Sequence, residues 1–515
     1  MFLGGIDLKE NIIKGTIILT ITTIIIRTIG FVFRIYLANA IGAEGIGLYQ
    51  LIMAFYMLTV TLATSGISVA VSRIVAEEIA KNKYQNAKKA LRLSLIISLV
   101  TSGIATIVLF FGAEPVSIYI LKDARAILPL KYLAPSLPLL AFSACYKGYF
   151  FAVRNVVKPT TAQVLEQIVR IFVTVQLIKS IRVDNIIYAC SAATIGMTAG
   201  ELISYIYIVF LYYIDKKYKS KKQNTDKILF NMLYISIPVA GTSYLNSALR
   251  LLENALIPIK LVASGMAVSS AMSIYGMIKG MVLPILFFPT SFLSSLATML
   301  LPSLSSANVN NNEKHITYTL SKVLHFTSIS GILVVSLFML FPYELGNALY
   351  NSTEVGTLIR ILSFLCPFMY LNMVVTSVLN ALGEQVSSFK INLIESIIKI
   401  MMIFFLVPKY GFTAYLFALF ITTILNTILY IYRLLKVSYI IFDISNWVFK
   451  PILAAIISGL ISKLLYSAIY TNILSLNNSL ILSIASIGII YLILLFILKS
   501  LKPSDFNSLK KSFKR

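Results

Sequence analysis

The sequence predicts an all-α integral membrane protein. About fourteen transmembrane helices are expected, as two six-helix lobes related by an internal repeat plus two C-terminal helices. Three observations carry the prediction. Of the 515 residues, 58% are apolar and 12% charged, against about 25% charged in a soluble domain, and mean hydropathy is +0.87. The apolar residues form long runs joined by short polar links, and the runs of the first half align with those of the second. A spanning helix takes about 20 mostly apolar residues, so fourteen spans use about 280 positions and leave little for an extramembrane domain. A soluble enzyme, a disordered chain and a nucleic-acid-binding domain are all excluded. The net charge of +24 sits in the short links, where it reads as membrane topology.

In chain order the expected helices cover about residues 12–41, 46–71, 91–113, 130–153, 162–181, 186–213, 228–257, 270–300, 319–342, 357–381, 388–407, 412–434, 451–470 and 479–498. The first run is too long for the apolar region of a signal peptide and lacks a small-residue cleavage site, so it is expected to stay as a membrane helix. Cys145, Cys190 and Cys366 lie far apart in apolar runs, which argues against a disulfide framework or a zinc site. Pro238 and Pro258 frame the seventh helix, and Pro284, Pro289 and Pro302 punctuate the eighth. Backbone groups freed by such breaks must face protein or a wet cavity, so these two helices are expected to border a wet internal path.

The links on the N-terminal side hold 28 basic residues and those on the opposite side eight, the other eight of the 44 lying within helices. This bias predicts cytoplasmic N- and C-termini. It also accounts for the run from Lys216 to Lys222 without a lipid-headgroup site.

Sliding the chain against itself exposes a repeat. Leu165–Ile171 meets Ile394–Ile400 at an offset of 229, which also pairs Pro138 with Pro367. At 230, Arg92 meets Lys322 and Glu114 meets Glu344; at 223, Arg27 meets Arg250 and Gly42 meets Gly265. The lobes are therefore expected at residues 1–215 and 228–435, joined by a basic cytoplasmic linker at 216–227, with helices 13 and 14 and a basic tail in 436–515. Each lobe has an even number of helices, so the two share one orientation, as in rocking transporters whose substrate path lies between lobes.

A charge at the centre of a membrane helix costs at least about 2.5 kcal/mol, so it is normally paired or functional. The basic residues within helices are Arg27, Arg34, Lys147, Arg170, Arg250, Lys279, Lys399 and Lys463; the acidic ones are Glu166, Glu201, Glu253 and Glu395. The interior is about four charges positive, and its natural ligand is an anion. Glu166/Arg170 and Glu395/Lys399 are i,i+4 pairs in the favourable order, open to a structural reading or to a cavity or gating role. Arg250 and Glu253 can pair at i,i+3. Lys463 and Lys147 are expected to snorkel. Arg27 lies about 15 residues into the first helix with no acidic residue within a turn, and Arg34 follows about two turns on along the same face. Arg27, Arg34, Arg250 and Lys279 are the candidate anion-binding residues; Glu253, Glu166, Arg170, Glu395 and Lys399 are candidates for cavity or gating roles.

Arg27-Thr-Ile-Gly30-Phe-Val-Phe-Arg34, with Ala38, Gly42, Gly45, Gly47 and Tyr49, resembles the first-helix signature of the multidrug/oligosaccharidyl-lipid/polysaccharide exporter superfamily. Gly148-Tyr149-Phe150, Pro159, Gln163, Glu166, Gln167 and Arg170 resemble the stage V sporulation protein B-like branch of its polysaccharide transporters. Ile237-Pro238, Tyr275-Gly276, Pro289, Leu301-Pro302 and Leu382-Gly383 continue the match. The resemblance spans about residues 15–435. It implies alternating access by two lobes in a V shape, in a bacterial cytoplasmic membrane, moving an undecaprenyl-pyrophosphate-linked sugar outward. In the related lipid II flippases, first-helix arginines contact the pyrophosphate; Arg27 matches the first, Arg34 is displaced by one residue from the second, and Lys279 stands in for a basic residue of the eighth helix.

Guanidinium forks suit a pyrophosphate, and the polyprenyl tail can stay in lipid while the headgroup crosses. No P-loop of the Gly-x4-Gly-Lys-Ser/Thr type occurs. No catalytic residue, cofactor or metal is expected. The expected partners are the lipid-linked glycan, membrane lipids and cell-wall synthesis enzymes, as in peptidoglycan or spore-cortex assembly. A drug/cation antiporter of the same fold would need cavity carboxylates to bind its substrate. A membrane-embedded glycan-processing enzyme would need acid, base or metal-ligand groups, typically in a sizeable loop, and a scaffold for cell-wall enzymes would leave the cationic interior unexplained.

Overall fold

The computed structural model describes residues 3–180, 185–215, 228–291, 312–438, 443–470 and 476–502, with isolated positions between 293 and 310 and at 440; side chains are described from residue 21 onward, except 469, 470, 476 and 477. The linker at 216–227, Leu301-Pro302 and the tail from 503 lie outside the described residues. Among the described residues every regular element is a helix, as expected where the backbone has no water to bond.

Eleven helical stretches are long and apolar enough to cross a bilayer, or twelve if the bent pair Ala124–Leu133 and Ser136–Ala152 forms one span. The count differs from the fourteen expected because two stretches are continuous where hydropathy places a link. Helix α1 runs Leu3–Thr64 and helix α15 Gln385–Val437, 62 and 53 residues. A straight helix of that length would run about 80–90 Å, well over twice the apolar thickness of a bilayer, but each is two helices that meet at a kink. Each contains one non-helical residue, Gly42 (φ 73°, ψ 176°) in α1 and Gly411 (φ 59°, ψ −137°) in α15. Only glycine adopts such angles at little cost.

Two compact units divide the chain. The first comprises Met1–Gly280 and Ile400–Tyr415. Its helices are α1, α2 (Ile67–Ala80), α3 (Tyr84–Pro115), α4 (Ile127–Leu133), α5 (Ser136–Ala152), α6 (Val157–Ser180), α7 (Ile186–Ile214), α8 (Ile228–Ala263) and α9 (Val268–Gly276). Val71, Leu91, Cys145, Phe150, Ile208 and Met232 belong to its buried core. Helices α1 and α9 cross backbone against backbone: a Cβ on Gly276 would lie 2.0 Å from the Ala43 carbonyl oxygen, and one on Gly47 2.3 Å from that of Met272. Close approach through small residues is how helices bind each other in lipid, where hydrophobicity alone gives no preference. Pro238 and Pro258 lie inside α8, and a π-helical turn at Met277–Val282 follows α9.

The second unit comprises Met281–Lys399 and Leu416–Arg515. It contains α10 (Leu283–Phe287), α11 (Glu313–Leu340), α12 (Pro342–Tyr350), α13 (Thr353–Leu362), α14 (Cys366–Ala381), most of α15, α16 (Lys450–Tyr470) and α17 (Leu476–Ile497). Leu320, Leu324, Val375, Leu379, Tyr430 and Trp447 pack at its centre. Trp447 stacks on His325 of α11, ring centroids 6.0 Å apart and planes at 17°, and His325 Nε2 lies 3.1 Å from the Asn446 carbonyl oxygen. All three cysteines are buried and free. Large apolar side chains such as Phe111, Tyr234 and Leu464 are more than 70% exposed, as a lipid-facing surface requires.

Candidate functional site

Charged side chains gather inside the first unit where α5, α6 and α7 meet. Arg170 of α6 donates to Glu166 Oε1 at 2.7 Å, the i,i+4 pair expected from the sequence. Lys147 of α5, expected to snorkel, instead faces Glu166 Oε2 at 3.5 Å. Glu201 of α7, 4% exposed, lies 3.9 Å from Arg170 Nη2 through Oε1, and Arg170 Nη1 is 3.5 Å from Gln167 Oε1. Two acids and two bases line a cavity of about 420 Å³ together with Gln163, Gln167 and Ile26 of α1.

Glycines place this cluster. A Cβ on Gly200 would lie 2.7 Å from the Glu166 carbonyl oxygen, and one on Gly196 2.8 Å from that of Arg170. Only the bare backbone of α7 can come so near α6, and that approach carries Glu201, the next residue, up to Arg170.

Arg27 and Arg34 lie on α1 with exposed side chains, and Arg250 is exposed on α8. Glu253, 8% exposed, takes Lys279 at 2.8 Å from 26 positions along the chain. Lys279, a candidate for an anion, thus has a carboxylate beside it. In the second unit Lys399 pairs with Glu395 on α15. All four membrane acids therefore sit beside bases, while the helices carry eight bases against four acids. The structure brings Glu166 and Arg170 together with Lys147 and Glu201, and Glu253 together with Lys279.

The contacts that sequence reasoning missed, Lys147–Glu166, Lys279–Glu253 and Glu201–Arg170, all join different helices and leave no spacing signal along the chain. The i,i+4 glycines at 196 and 200, directly before Glu201, are the one local mark of the crowding there.

The helical architecture and span pattern are those of solved transporters. The solved lipid II flippase MurJ in an inward closed conformation superposes with a TM-score of 0.66 at 17% identity, over 94% of this chain and 98% of that one. An inward-facing multidrug resistance transporter of the superfamily gives 0.63 at 13% identity, over 81% and 98%. The chain belongs to the polysaccharide biosynthesis protein family, whose model matches residues 12–306. It is 28% identical over 507 residues to stage V sporulation protein B of Bacillus subtilis (strain 168), covering 97% of this chain and 98% of that one. The resemblance read from the motifs thus extends over nearly the whole chain.

Proposed function

We propose that the protein is a flippase that moves a polyprenyl-pyrophosphate-linked glycan, lipid II or a polysaccharide precursor, across the bacterial cytoplasmic membrane by alternating access. One observation carries the reading: the membrane helices hold a surplus of bases over acids, the four acids sit beside bases, and Arg27 and Arg34 are exposed two turns apart on α1. A cationic drug would be repelled by that surplus, whereas a pyrophosphate is drawn to it. Family membership and the similarity to stage V sporulation protein B and to a lipid II flippase support the same conclusion. The protein moves its substrate without altering it, in company with cell-wall synthesis enzymes.

The lobes at 1–215 and 228–435 act as the moving repeats, with helices 13 and 14 appended. Counting α1 and α15 as two crossings each, split at Gly42 and Gly411, gives fourteen spans; an even number supports termini on one side, and the basic bias of the links favours the cytoplasm. Vesicles reconstituted with the protein and labelled lipid II test the function: lipid II should cross to the far leaflet chemically intact. Alteration of the lipid, or export of drug cations with no lipid crossing, defeats the reading. Strong labelling from outside at Lys219→Cys or Lys510→Cys defeats the topology.

A further inference from the structure

Within the cavity of the first unit, the four charges are unequally served. Glu166 holds Arg170 Nη2 at 2.7 Å and Lys147 at 3.5 Å. Glu201 has the same Nη2 at 3.9 Å through Oε1, beyond hydrogen-bond reach, and the Glu166 carboxyl beside it. Glu201 Oε2 is buried and has no hydrogen-bond partner. The titratable groups facing it are Glu166 and Arg170 of α6, Lys147 of α5 and Tyr56 of α1, and the Tyr56 hydroxyl is already bonded to Ser136 at 2.7 Å.

Burying an ionised carboxylate with a bare oxygen is far costlier than burying the neutral acid, and two carboxylates that share bases cannot both stay charged at low cost. The oxygen is closed to water, which leaves no room there for a hydrated cation. A proton needs no room. Ionisable groups at such positions in membrane helices are also where proton relays are built.

We propose that Glu201 is a proton-binding site and that its proton sets the charge of the cavity, and with it the hold of Arg170 and Lys147 on a pyrophosphate. With Glu201 ionised the four groups sum to zero, and Arg170 is shared between two carboxylates. With Glu201 protonated the cavity is one charge positive, and Arg170 answers to Glu166 alone. The step is a proton transfer between Glu201 and solvent, with no bond broken elsewhere. The consequence for the substrate rests on the flippase reading; the proton itself does not.

Infrared difference spectra of the purified full-length protein, taken between neutral and alkaline pH, read the proton directly. The C=O band of a protonated carboxyl should vanish at alkaline pH, be absent in Glu201→Gln and, with the competing carboxylate gone, be lost at lower pH in Glu166→Gln. Should Glu201→Gln not purify, Glu201→Asp keeps the acid and must move the band. Binding of undecaprenyl pyrophosphate should weaken about tenfold from neutral to alkaline pH, the effect of one unit charge at about 10 Å in a medium of intermediate dielectric. In Glu201→Gln it should stay at the neutral-pH value. A spectrum in which neither Glu201 variant changes the carboxyl region, or an unaltered pH dependence of binding in Glu201→Gln, overturns the proposal. If undecaprenyl pyrophosphate fails to bind at any pH, the flippase reading falls, while the infrared result still decides the proton.

Discussion

Gly200→Ala isolates the packing on which the charged cavity rests. The added Cβ would stand 2.7 Å from the Glu166 carbonyl oxygen and 3.2 Å from Arg170 Cβ. Neither neighbour is a flexible chain end, so α7 must retreat from α6 by about 0.7 Å, the distance from 2.7 Å to the 3.4 Å where ordinary contact begins. Overpacking of this kind costs about 1–3 kcal/mol. The gain in helix propensity, about 1 kcal/mol, works the other way. Gly103→Ala is the matched control, because nothing lies within 4 Å of a Cβ built there, so that variant receives the propensity gain alone. Thermal unfolding of the two purified variants should place Gly200→Ala below wild type and Gly103→Ala at or above it, with Gly200→Val lower still. The retreat also widens the gap between Glu201 and Arg170. If the Gly200 and Gly103 variants melt together, α6 and α7 are not in backbone contact and the placement of Glu201 is wrong.

Arg27→Ala should weaken binding of a polyprenyl pyrophosphate by tenfold to a hundredfold, the loss of a charged hydrogen bond worth about 1.5–3 kcal/mol, and Arg27→Lys should recover only part, since a point charge replaces a fork. Measured on the same samples, lost stability with normal binding would make Arg27 a structural anchor instead. Lys279→Ala should destabilise the first unit by about 3 kcal/mol, the cost of removing one partner of a buried pair, and adding Glu253→Gln should restore part of it; a double variant no better than the single contradicts the pair at 2.8 Å. Between α14 and α15, Glu384 accepts from Ser387 at 2.6 Å and from Arg433 at 2.6 Å and 3.0 Å. The Ser387 hydroxyl first and the Arg433 guanidinium second hold its carboxyl below the usual range. A lowered folded-state value means the pair stabilises above the carboxylate's ordinary titration and is lost as pH falls through the folded value. Melting curves taken down the acidic range should therefore fall less in Arg433→Gln than in wild type, and parallel curves would rule the linkage out.

Span positions and helix class were legible because hydropathy records each residue's solvent directly. Gly42 and Gly411 sit in the short links expected at 42–45 and 408–411, although there the chain turns by a single residue instead of forming a loop. The i,i+4 pairs Glu166/Arg170 and Glu395/Lys399 could be read because both partners lie on one helix, whose geometry is known in advance. The partners of Lys147 and Lys279 were illegible for the converse reason. Their carboxylates stand on other helices, and nothing along the chain says which helix faces which. Glu201 looked like any other membrane acid until the glycines before it were seen to press α7 onto α6.

The stacking of Trp447 on His325 makes the molecule its own optical probe. The chain has one tryptophan, so all indole fluorescence comes from the junction of α11 with the start of α16. Emission of a stacked indole depends on the ring against its face. Any step that slides α16 along α11 would therefore register as a change in intrinsic brightness. Movements of the C-terminal helix pair can be followed in unlabelled protein, in real time, with every side chain in place.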